Sequence, residues 1–332
     1  MFNEMIRGIA EKTTGEAGYH ISQEEACELS ALPDDDTVDL IMFADKIRKR
    51  FKKDNVFTCS IINAKSGFCS EDCAFCAQSA HNKAKIDTYS LLSEEELVTK
   101  AIRMREAGAS KYSMVTSGYM VTDEEIETIA RAAATIKKET GLAICASLGM
   151  LTEPVMARKL KDSGITTYHH NLETARSWFD HICTTHDYEE DVQTVRFAGA
   201  SGLKVCSGGI LGLGETWEQR VELAFTLREL NVDIIPINFL NPIPGTGLES
   251  MPLLSPAEAL KCIALFRFIN PEKDITVCGG RETTLRDYQS WIFTAGANGL
   301  MIGDYLTTKG RNAGMDIDMI NEMRLIKNED NG

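Results

Sequence analysis

The sequence predicts an α/β chain, a single (β/α)8 barrel of the TIM type preceded by a helical extension. Three observations carry this. Short β-rich runs alternate strictly with amphipathic helical segments from residue 55 onward. There are eight such runs, and neither a linker nor a low-complexity stretch interrupts 55–310. The chain has 332 residues, which accommodates one large barrel. Strict alternation demands parallel pairing and right-handed crossovers. A doubly wound open sheet satisfies the same alternation and is the alternative.

Residues 1–52 read as a charged helical extension covering one end of the core. Glu24-Glu25-Ala26-Cys27-Glu28-Leu29 and the stretch 39–47 carry helix-period apolar spacing. The barrel is assigned to 53–310. Its candidate strands are 56–63, 112–116, 143–148, 166–171, 204–210, 234–240, 275–278 and 299–302. Ser93 with Glu96 makes a capping-box start to the helix that Gly108 closes. Further helices are expected over 122–138, 153–163, 218–230 and 255–268. The last segment, 311–332, is polar and contains glycine, and a partly mobile tail is expected.

Composition excludes several classes. A net charge of −14 argues against a nucleic-acid surface, which needs a basic stripe. No apolar run reaches membrane-spanning length. Met1-Phe2-Asn3-Glu4-Met5-Ile6-Arg7 lacks the basic head and apolar core of a secretory signal. Ten cysteines in a large, unexported chain point to metal ligation rather than disulfides, hence a cytoplasmic, reducing location.

The chemistry begins at Cys69-x3-Cys73-x2-Cys76. Three thiolates within eight residues converge in one loop directly after the first strand, at the end of a barrel where active sites lie. A four-iron cubane held by three protein ligands keeps one iron open for a small molecule, so the site is reactive. Zinc and ferredoxin sites usually bring a full protein set at other spacings. A structural zinc loop or chance clustering is the bland alternative. With Phe75 just before the last cysteine, the loop resembles the radical S-adenosylmethionine (SAM) signature. That resemblance implies a [4Fe–4S] cluster whose open iron is chelated by SAM, and a 5′-deoxyadenosyl radical made by reductive SAM cleavage.

A second cysteine set is subtler. Cys59, Cys145, Cys206 and Cys278 fall on the first, third, fifth and seventh candidate strands. One interior layer of such a barrel takes its four side chains from alternate strands. The four thiols can therefore ring the interior and hold a second, auxiliary iron–sulfur cluster. Four separately packed core cysteines are the alternative, because depth depends on shear. Cys27, Cys262 and Cys183 read as small buried apolar residues.

Over roughly 50–310 the chain resembles the biotin synthase family. The matching stretches are the Cys69 loop with Ala77-Gln78-Ser79-Ala80, then Tyr168-His169-His170-Asn171-Leu172-Glu173-Thr174, and the run 204–216. Pro236-Ile237-Asn238 and Ala295-Gly296-Ala297-Asn298 complete them. The resemblance implies sulfur insertion into dethiobiotin, with sulfur taken from the auxiliary cluster. It implies that Cys69, Cys73 and Cys76 bind the SAM cluster, and that Phe75 and Ile210 flank the adenine. Ser117 would lie near the methionine part of SAM, and Glu173 would hold the ribose hydroxyls. Asn171 and Asn238 would bind the ureido ring, which an amide matches as donor and acceptor. The glycine-rich loop 208–215 looks like a phosphate cradle, but its spacing does not suit one. Flavodoxin or ferredoxin as electron donor, an iron–sulfur repair system and a homodimer are implied as well.

The chain departs from the family at its inner site. Two of the family's three auxiliary cysteines align with Cys145 and Cys206, but the third aligns with Ser113 and the arginine ligand with Thr276. Cys278 lies two residues beyond Thr276 on the same strand face, and Cys59 stands where the family tends to carry serine. The reading is a rebuilt cluster held by Cys145, Cys206 and Cys278, with Cys59 a candidate fourth ligand. Such a set suits a four-iron centre, with an extra sulfide if three thiolates bind. His169 replaces an amide, and Asp191 replaces the arginine expected near the SAM carboxylate, leaving Arg196 as the nearest substitute. Neither His169 nor His186 is assigned a metal. Another radical SAM barrel enzyme, such as a hydrogenase-cofactor maturase or a lysine-skeleton mutase, is the first alternative. A non-catalytic zinc or iron–sulfur scaffold is the second.

Overall fold

A computed structural model describes residues 3–327. All eight expected strand regions are present: β1 (Asn55–Lys65), β2 (Lys111–Thr116), β3 (Ala143–Ser147), β4 (Thr167–His169), β5 (Lys204–Cys206) with β6 (Gly209–Leu211), β7 (Ile234–Phe239), β8 (Asp274–Val277) and β9 (Gly299–Met301). Every pairing is parallel, and β1 pairs with β9, so the sheet closes into a barrel. The open-sheet alternative is excluded by that closure.

The helices are α1 (Glu4–Gly15), α2 (Gln23–Ser30), α3 (Thr37–Lys52), α4 (Glu94–Glu106), α5 (Asp123–Thr140), α6 (Pro154–Asp162), α7 (Tyr188–Ala200), α8 (Trp217–Glu229), α9 (Pro256–Ile269), α10 (Arg281–Leu285), α11 (Trp291–Thr294) and α12 (Ala313–Glu322). Local signals set their starts. Ser93 caps α4 and Thr122 caps α5, each in a full capping box with the glutamate three residues on. Their apolar faces pack on the strands, with Leu97, Ile129 and Ile136 fully buried. Among the described residues, no helix is long and apolar enough to cross a membrane.

Three features differ from the sequence expectation. The fifth strand is broken in two, because at Gly208 and Gly209 other backbone comes too close for a side chain. A Cβ on Gly208 would stand 2.0 Å from the Pro236 carbonyl oxygen, and one on Gly209 2.3 Å from that of Glu173. The N-terminal helices do not simply cap an end. They lie along the outer helices, α2 on α8 and α9, and α3 on α9 and α11. The mobile-tail expectation is corrected over 313–327, while 328–332 lie outside the described residues. Helix α12 docks through Asp316, which makes a two-pronged ion pair with Arg281 at 2.8 and 3.1 Å. Both side chains are fully buried. A further strand, β10 (Ile326–Lys327), then adds to β1. Polar composition hides this docking because a charge, Asp316, is buried on α12 beside Met319 and Ile320.

Candidate active site

Strand β1 delivers the chain to the barrel mouth, where Gly67 turns it at φ +81°. A Cβ there would meet Thr88 Cγ2 at 2.4 Å. The cysteine loop then folds on itself. Cys69 N–H donates to Gln78 at 3.1 Å, Ala80 N–H donates back to Cys69 at 2.8 Å, and Asn82 Nδ2 ties the carbonyls of Cys73 and Cys76. Cys69, Cys73 and Cys76 are free thiols lining one cavity of about 440 Å³. A hydrogen bond to Cys183 and burial push the Cys73 thiol far up, and burial pushes Cys76 up to about 11. Cys73 and Cys76 resist ionisation on their own, and the three-cysteine loop fits a cationic iron cluster, which supplies the missing positive charge.

Below the mouth, Cys59, Cys145, Cys206 and Cys278 line the same cavity. Their elements are β1, β3, β5 and the residue following β8. Burial raises each thiol, Cys59 to about 11 and Cys145 to about 12, and Cys206 well above its ordinary value. Ionisation of Cys206 is further opposed by Cys145, Cys59 and Cys278, so the four thiols share one electrostatic neighbourhood. Lys111, on β2 beside Cys59, is the one lysine or arginine lining this cavity among the described residues. Its ammonium sits 4.5 Å from the Phe57 ring centroid and favours ionisation of Cys59, Cys145 and Cys206. Parity along β2 could have revealed Lys111, since it stands two residues before the inward Ser113.

The remaining expected residues are distributed as follows. Phe75 and Ile210 pack into one apolar cluster with Ile182, Leu213 and Leu240 beside the cysteine loop. Ser117 lines the cavity, and its hydroxyl donates to the Gly67 carbonyl at 2.7 Å. Asn171 Nδ2 donates to Glu173 at 3.3 Å, while Asn171 Oδ1 is buried without a partner. Such an orphaned acceptor facing a cavity suits a ligand N–H. Asn238 is held at both ends, accepting from Gly279 N–H and donating to the Gly209 carbonyl. Glu173 has φ +61°, and burial, followed by the charge of Asp191, pushes its carboxyl up to about 8. The glycine-rich loop is not a phosphate cradle, because Glu215 already takes the Gly212 and Leu213 N–H groups.

Two expectations are corrected. Arg196 is exposed on α7 and does not line the cavity, because its helical position faces solvent. Asp191, one face away, is buried and bonds His170 at 2.7 Å, with His186 at 3.4 Å. Burial would lower His186, but bonds to Asp191, Cys183 and Glu71 outweigh it and push His186 up to about 11. Cys183 is not an apolar filler. Its sulfur lies 3.8 Å from that of Cys73 and 3.3 Å from His186 Nδ1, and the hydrogen bond from Cys73 chiefly lowers it to about 5.

Two family models match in tandem. The Radical SAM superfamily covers residues 64–227, and the Biotin and Thiamin Synthesis associated domain covers 236–326. A biotin synthase of Syntrophus aciditrophicus (strain SB) is 55% identical over 320 residues, spanning 96% of this chain and 98% of the relative. One of Geobacter metallireducens is 54% identical over 310 residues, 93% and 94% of the two chains. The chain belongs to the biotin synthase family. Biotin synthases are radical SAM enzymes, and membership implies a four-iron cluster and SAM. Solved structures share the fold. Methylornithine synthase superposes with a TM-score of 0.82 at 20% identity, covering 96% of this chain and 97% of that one. A hydrogenase maturase from Carboxydothermus hydrogenoformans gives 0.81 at 17% identity, covering 98% and 79%.

Proposed function

We propose that this biotin synthase family member converts dethiobiotin to biotin, with sulfur supplied by an auxiliary cluster on Cys145, Cys206 and Cys278 and with Cys59 as its candidate fourth ligand. One observation carries the reading: four free thiols from around the barrel, Cys145, Cys206 and Cys278 buried and Cys59 half-buried, line the same cavity as the radical SAM loop. Soft thiolates select iron–sulfur centres over hard cations. The SAM-bound cluster supplies hydrogen abstraction from unactivated carbon, and the auxiliary cluster supplies sulfide.

The protein's own residues do the rest. Cys69, Cys73 and Cys76 hold the mouth cluster and leave one iron to SAM. Phe75 and Ile210 present an apolar wall for the adenine, and Glu173 accepts from the ribose hydroxyls as they reach its buried carboxyl. Ser117, anchored on Gly67, borders the methionine part of SAM. Asn171 takes a ureido N–H on its unpartnered Oδ1, and Asn238, pinned at Gly279 and Gly209, presents a pre-oriented amide beside it. The closed barrel wall keeps water from entering through the sides of the cavity. With three or four thiolates in place of the family's arginine-containing set, a four-iron centre fits, with an extra sulfide if Cys59 stays free. Flavodoxin or ferredoxin serves as reductant, a repair system restores the spent sulfur, and the working form is a homodimer.

The test is biotin formation from dethiobiotin by purified, reconstituted protein, with Mössbauer spectra of the same sample. A four-iron inner centre and biotin are expected. A [2Fe–2S] inner centre would overturn the ligand assignment, and absence of biotin the function.

A further inference from the structure

We propose that His169 is a positioning residue for the inner cluster, donating from Nδ1–H to the Cys206 sulfur and stabilising the reduced state of iron held there. The inference rests on the auxiliary-cluster reading above. His169 Nδ1 lies 3.3 Å from Cys206 Sγ, within hydrogen-bonding distance for sulfur. The contact is built into the sheet. His169 and Cys206 are direct partners across the β4–β5 ladder, and the His170 N–H bond to the Cys206 carbonyl at 3.0 Å fixes that register. Both side chains line the cavity, and a slip of one residue between the two strands would put His169 and Cys206 on opposite faces of the sheet.

The bond also decides which nitrogen carries the proton. A neutral imidazole has one donor and one acceptor. A metal-bound thiolate only accepts, so the proton belongs on Nδ1. Nε2 has no hydrogen-bond partner among the described residues and is free to face the cavity as an acceptor. Asn171, two residues further along the chain, lines the same cavity. His169 therefore stands one step deeper than Asn171, against the sulfur of Cys206.

Hydrogen bonds to cluster sulfurs raise the reduction potential, because the sulfur becomes more negative when iron gains an electron. His169 is the imidazole in hydrogen-bond contact with one of the four interior thiols among the described residues. Asparagine restores an amide at this position but is a shorter side chain than the ring, and phenylalanine fills the space with no donor.

The experiment is an EPR-monitored redox titration of the inner cluster in reconstituted wild type, H169N and H169F. Loss of the donor is expected to shift the reduced-to-oxidised ratio at fixed potential about tenfold toward oxidised in H169F, or ~59 mV for one electron, with H169N between the two. The mouth cluster's EPR signal reports that each variant is folded. In wild type carrying 15N-histidine, pulsed EPR is expected to show a weak nitrogen coupling. An unchanged potential in H169F, or a strong coupling diagnostic of direct Fe–N ligation, overturns the donor role while leaving the cluster reading intact. A wild-type protein that holds only the mouth cluster overturns both.

Discussion

Replacing Glu173 with glutamine converts the buried carboxyl at the mouth into a measurable pH signature. Its carboxyl lies at about 8 in the folded chain against an ordinary 4.5, because burial and the nearby Asp191 disfavour the charged form. The sign follows from proton uptake. Below pH 4.5 the group is protonated in both states, and it costs nothing. Between 4.5 and 8 the unfolded chain is ionised while the folded chain holds its proton, so stability falls as pH rises. Above 8 the folded carboxyl ionises too, and the penalty levels off. At 1.36 kcal/mol per pH unit the ceiling is about 5 kcal/mol. Urea unfolding of the ligand-free wild type and E173Q, compared at pH 5 through 8.5, isolates the term, because other groups cancel in the difference. E173Q should gain on wild type steadily between pH 5 and 8 and then stop gaining. A pH-independent difference, or a wild type that gains on the variant, would refute a carboxyl held neutral by its surroundings.

Other outcomes are expected elsewhere in the molecule. Cys278→Ala should lower bound iron and sulfide after reconstitution while leaving the mouth cluster's EPR signal, as checked by metal analysis; iron equal to wild type would remove Cys278 from the ligand set. Asp316→Ala leaves fully buried Arg281 without its carboxylate and should destabilise the protein by about 3–5 kcal/mol, seen as a lower urea midpoint. Arg196→Ala should leave SAM affinity within about twofold by equilibrium binding, since the side chain faces solvent. Cys69→Ala should abolish 5′-deoxyadenosine formation from SAM and dithionite, followed by chromatography.

Much of the active site was legible along the chain. The Cys69 loop could be read because its three ligands sit within eight residues, where local chain geometry alone forces convergence. Phe75, Ile210, Asn171 and Glu173 came from family resemblance, and the fold brings all four to the same cavity. Arg196 failed because proximity along a helix says nothing about face: five residues carry a side chain well round the axis from Asp191. Cys183 was misjudged because two of its polar neighbours, Asp72 and Cys73, are more than a hundred residues away.

Sequence alone determined the elements and their order. Periods of two and 3.6, capping boxes at Ser93 and Thr122, and glycine at helix ends act within a few residues, so eight alternating units and parallel pairing follow directly, while closure into a barrel was decided by the β1–β9 pairing. Tertiary structure decided depth and partnership. Whether Cys59, Cys145, Cys206 and Cys278 share one cavity depends on stagger between strands, which no single strand encodes. The His169–Cys206 contact, the Asp191 link to His170 and His186, and the Arg281–Asp316 pair that holds down the C-terminal helix arise the same way. Each joins side chains that only closure of the sheet and packing of its outer helices bring within reach.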